Sequence, residues 1–258
     1  MIGVGYSVLQ LLDFTGERGN KAVVHTLKLG SLCLDDKPVY PGMEYKPGQA
    51  ISFGPTASDK AISWVPVNGL LIADRCLLTD ISWDDLDTQG LVFVKEINIQ
   101  GFRFKIRLLK VGTDEGVPNE WDAALDAVGE DDALWHWKSI YFWGQESVSE
   151  SVSLRARRGC FSARHWGYNT ASSRSASLGF RSALEPLTTD PSALRHGQTV
   201  LVIGHDGAVV GDLEDMTPYD FIIRSKSDGL AGKATFAANM RDGAVAVDRG
   251  KVVSITSV

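Results

Sequence analysis

Turn-forming residues recur at short intervals along this chain, and they restrict its fold more than any other feature. In residues 1–75, brief apolar runs are cut by Asp35-Asp36, Pro41-Gly42, Pro47-Gly48 and Gly54-Pro55. Such punctuation suits strands and loops better than long helices, which need an uninterrupted periodic stretch. Val23, Val24, Leu27, Leu29, Ile51 and Phe53 are the expected strand residues of this β-rich N-terminal segment. The texture returns near the C-terminus. Thr188-Thr189-Asp190-Pro191 reads as a linker and PSALRHG as a short helix. The strand-like runs TVLVIG, AVVGDLEDM, YDFIIRS, AVAVDR and KVVSITSV follow, with a turn at Asp206-Gly207 and an interruption over Ser227–Gly243. Residues 188–258 are therefore expected to form a small antiparallel β-domain, separate from 1–187.

The stretch 76–187 mixes patterns. TDISWDDLDTQG suggests a short helical turn, capped by Thr79 or Asp80 and closed by Gly90. VKEINIQGFRFKIRLL alternates about Gln100-Gly101, as a β-hairpin does. PNEWDAALDAVGE places Trp121, Ala124, Leu125 and Val128 on one helical face, between an Asn119 cap and a Gly129 stop. Trp135, Trp137, Tyr141, Phe142 and Trp143 read as a large-ring core, with a carbohydrate- or base-stacking platform as the alternative. Helices beside strands give an expected α+β class.

Composition excludes several functions. A net charge of −6 argues against a general nucleic-acid binder, although arginines cluster between Arg155 and Arg181. Cys33, Cys76 and Cys160 are odd in number and widely spaced, which suits isolated thiols rather than a disulfide framework or a zinc site. The first twenty residues lack a basic start and a small-residue cleavage site, so no signal peptide is expected. A cytoplasmic location or a place in a phage particle follows. No apolar run approaches the ~20 residues that span a bilayer.

Residues 145–186 carry the functional signal. They follow a framework R-x-x-R-G-x-x-S-A-R-x-W-x-x-x-x-A-S-x-R-x-A-x-L-G-F-R. Between its fixed letters stand Cys160, Phe161, His165, Gly167, Tyr168, Asn169, Thr170, Ser173, Ser175 and Ser177. No single packing or catalytic role wants that mixture. The framework resembles the variable region of target proteins of diversity-generating retroelements. The upstream stretches ADRCLLTDISWDDLDTQGLV, NEWDAAL and LWHWKSIYFWGQES are also similar to members of that group, so the resemblance covers about 68–187. It implies a C-type-lectin-like fold of the formylglycine-generating-enzyme type over 1–187. It also implies a non-enzymatic protein whose surface, about 145–177, binds a macromolecular ligand such as a protein or cell-surface receptor. In that family, adenines of a template copy are mutagenised, usually in Asn codons. The ten positions are reachable by such changes, as are Val148, Ser151 and Leu154, whereas Lys138 and Glu150 are not. Leu154 and the ten form the expected ligand-binding set. Arg155, Arg158, Arg164, Arg174 and Arg181 are expected to hold loops through carbonyls and carboxylates. Gly159 and Gly179 would supply backbone freedom, and Trp166 and Phe180 would anchor the segment from within.

The last region resembles a small Sm/Hfq-like (SH3-like) barrel. It shares the Asp206-Gly207 turn, Gly211-Leu213, the apolar Phe221–Ile223 and the spacing of Val247, Arg249, Val252 and Ile255. Homo-oligomerisation through 188–258 is one implication. The other is RNA binding, which Asp206, Asp212, Glu214, Asp215, Asp220 and Asp228 disfavour. An Sm-like RNA-associated protein with a lectin-fold partner domain is the alternative function. No cofactor or metal site is expected. The chain has no nucleophile elbow, HExxH, P-loop or calcium-binding triplet, and no base at fixed spacing activates Cys160.

Overall fold

The computed structural model describes residues 25–258, with the backbone alone for 226–229. The expected strand residues Val23 and Val24 lie outside that range. The described residues form three sheets. The first, eight-stranded, runs Lys37–Pro38, Leu27–Leu34, Ala61–Val67, Leu70–Ala73, Ser182–Pro186, Phe102–Leu108 and Lys95–Ile99, with Ile51–Gly54 also paired to Leu27–Leu34. The second runs Trp166–Thr170, Ser151–Gly159, Tyr141–Val148, Leu178–Phe180, Leu78–Thr79 and Met43–Glu44. The third, wholly antiparallel, runs Ala237–Asn239, Ala244–Asp248, Asp220–Gly232, Gly207–Met216, Thr199–Gly204 and Val252–Ser257.

This architecture corrects the expected α+β class with its C-type-lectin-like fold and small C-terminal barrel. Strand accounts for 50% of the structure and helix for 11%, and the last region is a half-barrel. The reason is length. Among the described residues the α-helices are Trp83–Thr88, Glu120–Val128 and Asp132–Trp135, and none exceeds nine residues. Each is an insertion between strands, not a layer of its own.

Local chemistry accounts for the elements. Gln100 (φ 55°) and Gly101 (φ 93°) make a two-residue turn between the registered partners Ile99 and Phe102. The Asn119 side chain accepts from the Asp122 N–H at 2.9 Å and caps Glu120–Val128. Gly129, at φ 92°, ends that helix. The cap of Trp83–Thr88 is Ser82, not Thr79 or Asp80. Thr79 is still in a strand, and Asp80 turns the chain at φ 55°, leaving Ser82 extended before the helix. Ser82 and Asp85 then close a capping box at 3.1 and 3.0 Å.

Alternation along the strands feeds separate cores. Trp64, Leu71 and Leu184 enter one apolar cluster, and their neighbours Val65, Ile72 and Ala183 enter another. The third sheet splits likewise. Val200, Val202 and Val209 form its own core, whereas Leu201, Ile203 and Ala208 join the first cluster. That sheet is fastened further by the Asn68 N–H to His205 carbonyl bond at 2.6 Å. The expected interruption over Ser227–Gly243 is largely strand, since Asp220–Gly232 runs unbroken and Ala237–Asn239 pairs with Ala244–Asp248.

Candidate functional site

The segment of mixed chemistry occupies one edge of the second sheet. Ser151–Gly159 pairs with Tyr141–Val148 on one side and with the edge strand Trp166–Thr170 on the other. The chain then loops through 171–177 and returns as Leu178–Phe180, parallel to Tyr141–Val148. None of Leu154, Cys160, Phe161, His165, Gly167, Tyr168, Asn169, Thr170, Ser173, Ser175 and Ser177 is buried. Phe161 is 76% exposed and Tyr168 48%, unusual values for large rings.

These positions gather in three places. Cross-strand partners share a face, so Gly167 and Asn169 lie with Arg157 and Arg155. Phe161 and His165 pack beside them around Tyr141, with ring centroids 6.0 and 5.6 Å away, and Cys160 adjoins the same phenol. The opposite face of the edge carries Leu154 opposite Thr170, with Tyr168 beside Trp166 at 5.9 Å. Ser173, Ser175 and Ser177 line the loop, where Ser173 shares a hydrogen bond with Thr170 at 2.7 Å and Ser175 with Ser177 at 3.0 Å. The surface is open rather than concave. Clefts lined by His205, Asp206 and Phe236, and by Tyr40, Asp59 and Asp74, lie elsewhere.

The arginines tie this edge to the rest of the fold. Buried Arg158 bonds Asp122 on the helix Glu120–Val128. Arg164 reaches Asp126 at 2.6 Å and Glu130 at 2.5 Å. Arg174 reaches the capping residue Asp85 at 2.6 Å. Arg181 is fully buried and, among the described residues, makes no ion pair, although Asp74 acts on it electrostatically. It donates to the carbonyls of Trp135 at 2.5 Å and Ala73 at 3.5 Å, and lies over the rings of Phe142 and Trp121 at 4.8 and 5.0 Å. Arg155 donates to the Val152 carbonyl and stacks on Trp83 at 4.1 Å. Phe180 is wholly buried, whereas Trp166 is only half-buried, with its Nε1–H on the Gly112 carbonyl at 3.2 Å. The indole therefore flanks the core instead of filling it.

Glycines separate scaffold from surface. A Cβ on Gly179 would meet the Leu78 carbonyl oxygen at 2.3 Å. Gly159 has φ +98°, and a Cβ there would meet the Ile140 carbonyl oxygen at 2.7 Å. Both backbones require glycine. Gly167 has an ordinary strand conformation, and its nearest neighbour for a Cβ is Arg157 Nε at 3.5 Å, a normal contact. Nothing in the fold demands glycine there. Cys160 is the exception among the surface positions, since it sits at φ 73°, where asparagine or glycine is at ease and a branched residue is not.

Sequence reasoning missed Arg157, Tyr141 and Trp83 as parts of this surface. The signal for Arg157 was its position two residues after Arg155, which puts both on one face of a strand. The carboxylates on neighbouring helices carried no local mark. Burial pushes the Cys76 thiol up to about 11, which leaves it protonated and inert. Among the described residues, no group of three or more His, Cys, Asp or Glu side chains could hold a metal ion. No described helix is long and apolar enough to cross a membrane. No family model, curated protein or solved structure matches the chain.

Proposed function

We propose that this chain is a non-enzymatic display protein. Its exposed edge around residues 154–177 is diversified by a retroelement and binds a macromolecular ligand, a protein or cell-surface receptor. The observation that carries the reading is the division of labour within one short segment. Residues of incoherent chemistry are all accessible, while most of the letters between them are held: Ala163, Leu178, Phe180 and Arg181 are buried, Arg158, Arg164 and Arg174 are ion-paired, and Gly159 and Gly179 must be glycine, with Ser162, Ser172 and Ala176 the exposed exceptions. A catalytic site would need the reverse, with chosen functional groups converging in a sheltered pocket. Tyr168, Phe161 and His165 among Ser, Thr, Asn and Gly also match the composition of binding loops that combine rigid rings with adaptable polar groups.

Assembly through 188–258 belongs to the same proposal, since several copies would add avidity to a weak contact. Among the described residues Ala237–Asn239 ends the third sheet with no further strand beside it, and that edge is the place for pairing between copies. Sedimentation of the full chain and of an Ala238→Pro variant tests this, with an unchanged mass counting against it.

Sequencing the DNA around the gene tests the diversification. The expected result is a near-copy of the codons for residues 145–186, differing mainly at adenines and lying beside a reverse-transcriptase gene. Absence of any such copy would remove the retroelement and leave an exposed edge of undefined purpose.

A further inference from the structure

Among the described residues, the edge strand Trp166–Thr170 pairs with Ser151–Gly159 and has no strand on its other side. The register fixes which of its main-chain groups face inward. Just beyond the two ends of the strand, the His165 carbonyl accepts the Gly159 N–H at 3.1 Å and the Ala171 N–H donates to the Ser153 carbonyl at 3.3 Å. In an antiparallel pair, hydrogen-bonded residues alternate with residues that turn their N–H and C=O away. Gly167 and Asn169 therefore bond Arg157 and Arg155, and Trp166, Tyr168 and Thr170 turn their groups outward. The Thr170 carbonyl takes the Ser173 N–H at 3.0 Å, but among the described residues no hydrogen bond reaches the main chain of Trp166 or Tyr168.

Other edges of the fold are guarded. Lys37–Pro38 is short and holds a proline, and Lys95–Ile99 carries Lys95 and Glu96. Val252–Ser257 is covered by Thr189, whose N–H bonds the Ile255 carbonyl at 2.7 Å. Shortness, charge, proline and cover are the means by which sheets avoid stray pairing. Trp166–Thr170 is five residues long, with no charge and no proline. An open edge of this kind selects an extended polypeptide, because a second backbone offers donors and acceptors at the matching spacing. The two faces of the strand then select side chains. A residue added opposite Tyr168 would share the face of Leu154 and of the Trp166 and Tyr168 rings, which favours an apolar group. Its neighbours would share the face of Gly167 and Asn169, which continues to Arg157 and Arg155 one strand further in. Both arginines stack on rings, and neither has an ion pair among the described residues, so this face is positive and favours acidic groups.

We propose that Trp166–Thr170 captures an extended segment of a partner protein as an added strand, one that alternates apolar and acidic residues. The inference rests on the reading of this edge as a ligand-binding surface and names how the ligand is held. Main-chain pairing survives any change of side chain short of proline. A diversified strand therefore keeps one mode of capture while its side chains choose the sequence captured.

The probe is the peptide Glu-Val-Glu-Val-Glu-Val-Glu, added to the ¹⁵N-labelled full chain. The amides of Trp166 and Tyr168 should shift saturably and exchange with water about tenfold more slowly, while that of Gly167, already bonded to Arg157, exchanges as before. Methyl groups on the valine nitrogens block one edge of the peptide, and methyl groups on the glutamate nitrogens block the other. One methylated peptide should bind like the parent and the other about tenfold more weakly, the loss expected for a main-chain hydrogen bond. Lysine in place of glutamate should weaken binding too. Tyr168→Pro removes an outward N–H, leaves the ladder to Ser151–Gly159 intact, and should weaken binding by a similar factor. Three results would overturn the proposal: no shift at millimolar peptide, equal binding by the two methylated peptides, or equal binding by the lysine peptide. An assembly of the full chain that shrinks in Tyr168→Pro would give the edge to a second copy and overturn it as well. No peptide binding alongside a template copy in the neighbouring DNA would remove this inference alone. Peptide binding without such a copy would remove only the diversification.

Discussion

The third sheet and the segment 154–181 are both built of strands, yet they are held in different ways. In the third sheet each strand carries its own order. Val200 and Val202 point into one core while Leu201 and Ile203 point into another, so apolar alternation alone positions the chain. The segment 154–181 has no such alternation. Its order comes from elsewhere, through Arg158, Arg164 and Arg174 bonded to Asp122, Asp126 and Asp85 on two helices and to Glu130 just past one of them, and through Arg181 on two carbonyls. A strand held from behind by long charged side chains does not depend on the residues it shows to solvent. Those residues can change without unfolding it.

The largest expected effects break this external support. Arg158→Ala should cost about 3–5 kcal/mol, because it leaves Asp122 without its buried partner. Phe180→Ala should cost about 3–5 kcal/mol through the void it leaves. Urea titration measures both. If Arg158→Ala unfolds at the parental midpoint, the segment supports itself and the contrast with the third sheet fails.

A sharper division concerns two glycines that differ in role though both lie in strands. Gly179→Ala forces a Cβ into the Leu78 carbonyl and should cost about 1–3 kcal/mol. Gly167→Ala should stay within about 0.5 kcal/mol of the parent, as at an ordinary surface site. Equal melting shifts at the two positions would erase the line between scaffold and surface. Trp166→Ala comes next, at about 1–2 kcal/mol, because its ring is only partly buried against the core. A loss as large as that of Phe180→Ala would mean that the indole is a true core residue. Smallest is Cys160→Asn, expected to raise stability by about 0.5–1 kcal/mol by relieving the positive φ. A decrease would show that the contact of the thiol with Tyr141 outweighs the backbone strain.

Legibility followed the range of the interactions. The Gln100-Gly101 hairpin, the Asn119-to-Gly129 helix and the Asp206-Gly207 turn are each set by a few adjacent residues, and each forms where its residues predict. The class was misjudged because a clear nine-residue helical pattern counts for little beside twenty strands. Ser82 was passed over as a cap because nothing local reveals that Asp80 takes a positive φ first. The junction of the last sheet with the body, through Leu201, Ile203 and Ala208, is a contact between distant residues that no window of sequence contains. Within the candidate surface, accessibility at the interleaved positions agrees with what their incoherent chemistry suggests. The place of Arg157 over Tyr141 and opposite Gly167 emerged only from geometry, because those neighbours come from other strands.

The most direct test of the account compares two libraries of the full chain. One is randomised at Leu154, Cys160, Phe161, His165, Gly167, Tyr168, Asn169, Thr170, Ser173, Ser175 and Ser177. The other is randomised at Arg155, Arg158, Arg164, Trp166, Arg174, Gly179, Phe180 and Arg181. Protease resistance read by sequencing before and after digestion reports the folded fraction of each. The account predicts that most members of the first library survive with the parent and that few of the second do. Equal losses in both libraries would contradict it, because the exposed residues would then be part of what holds the fold together.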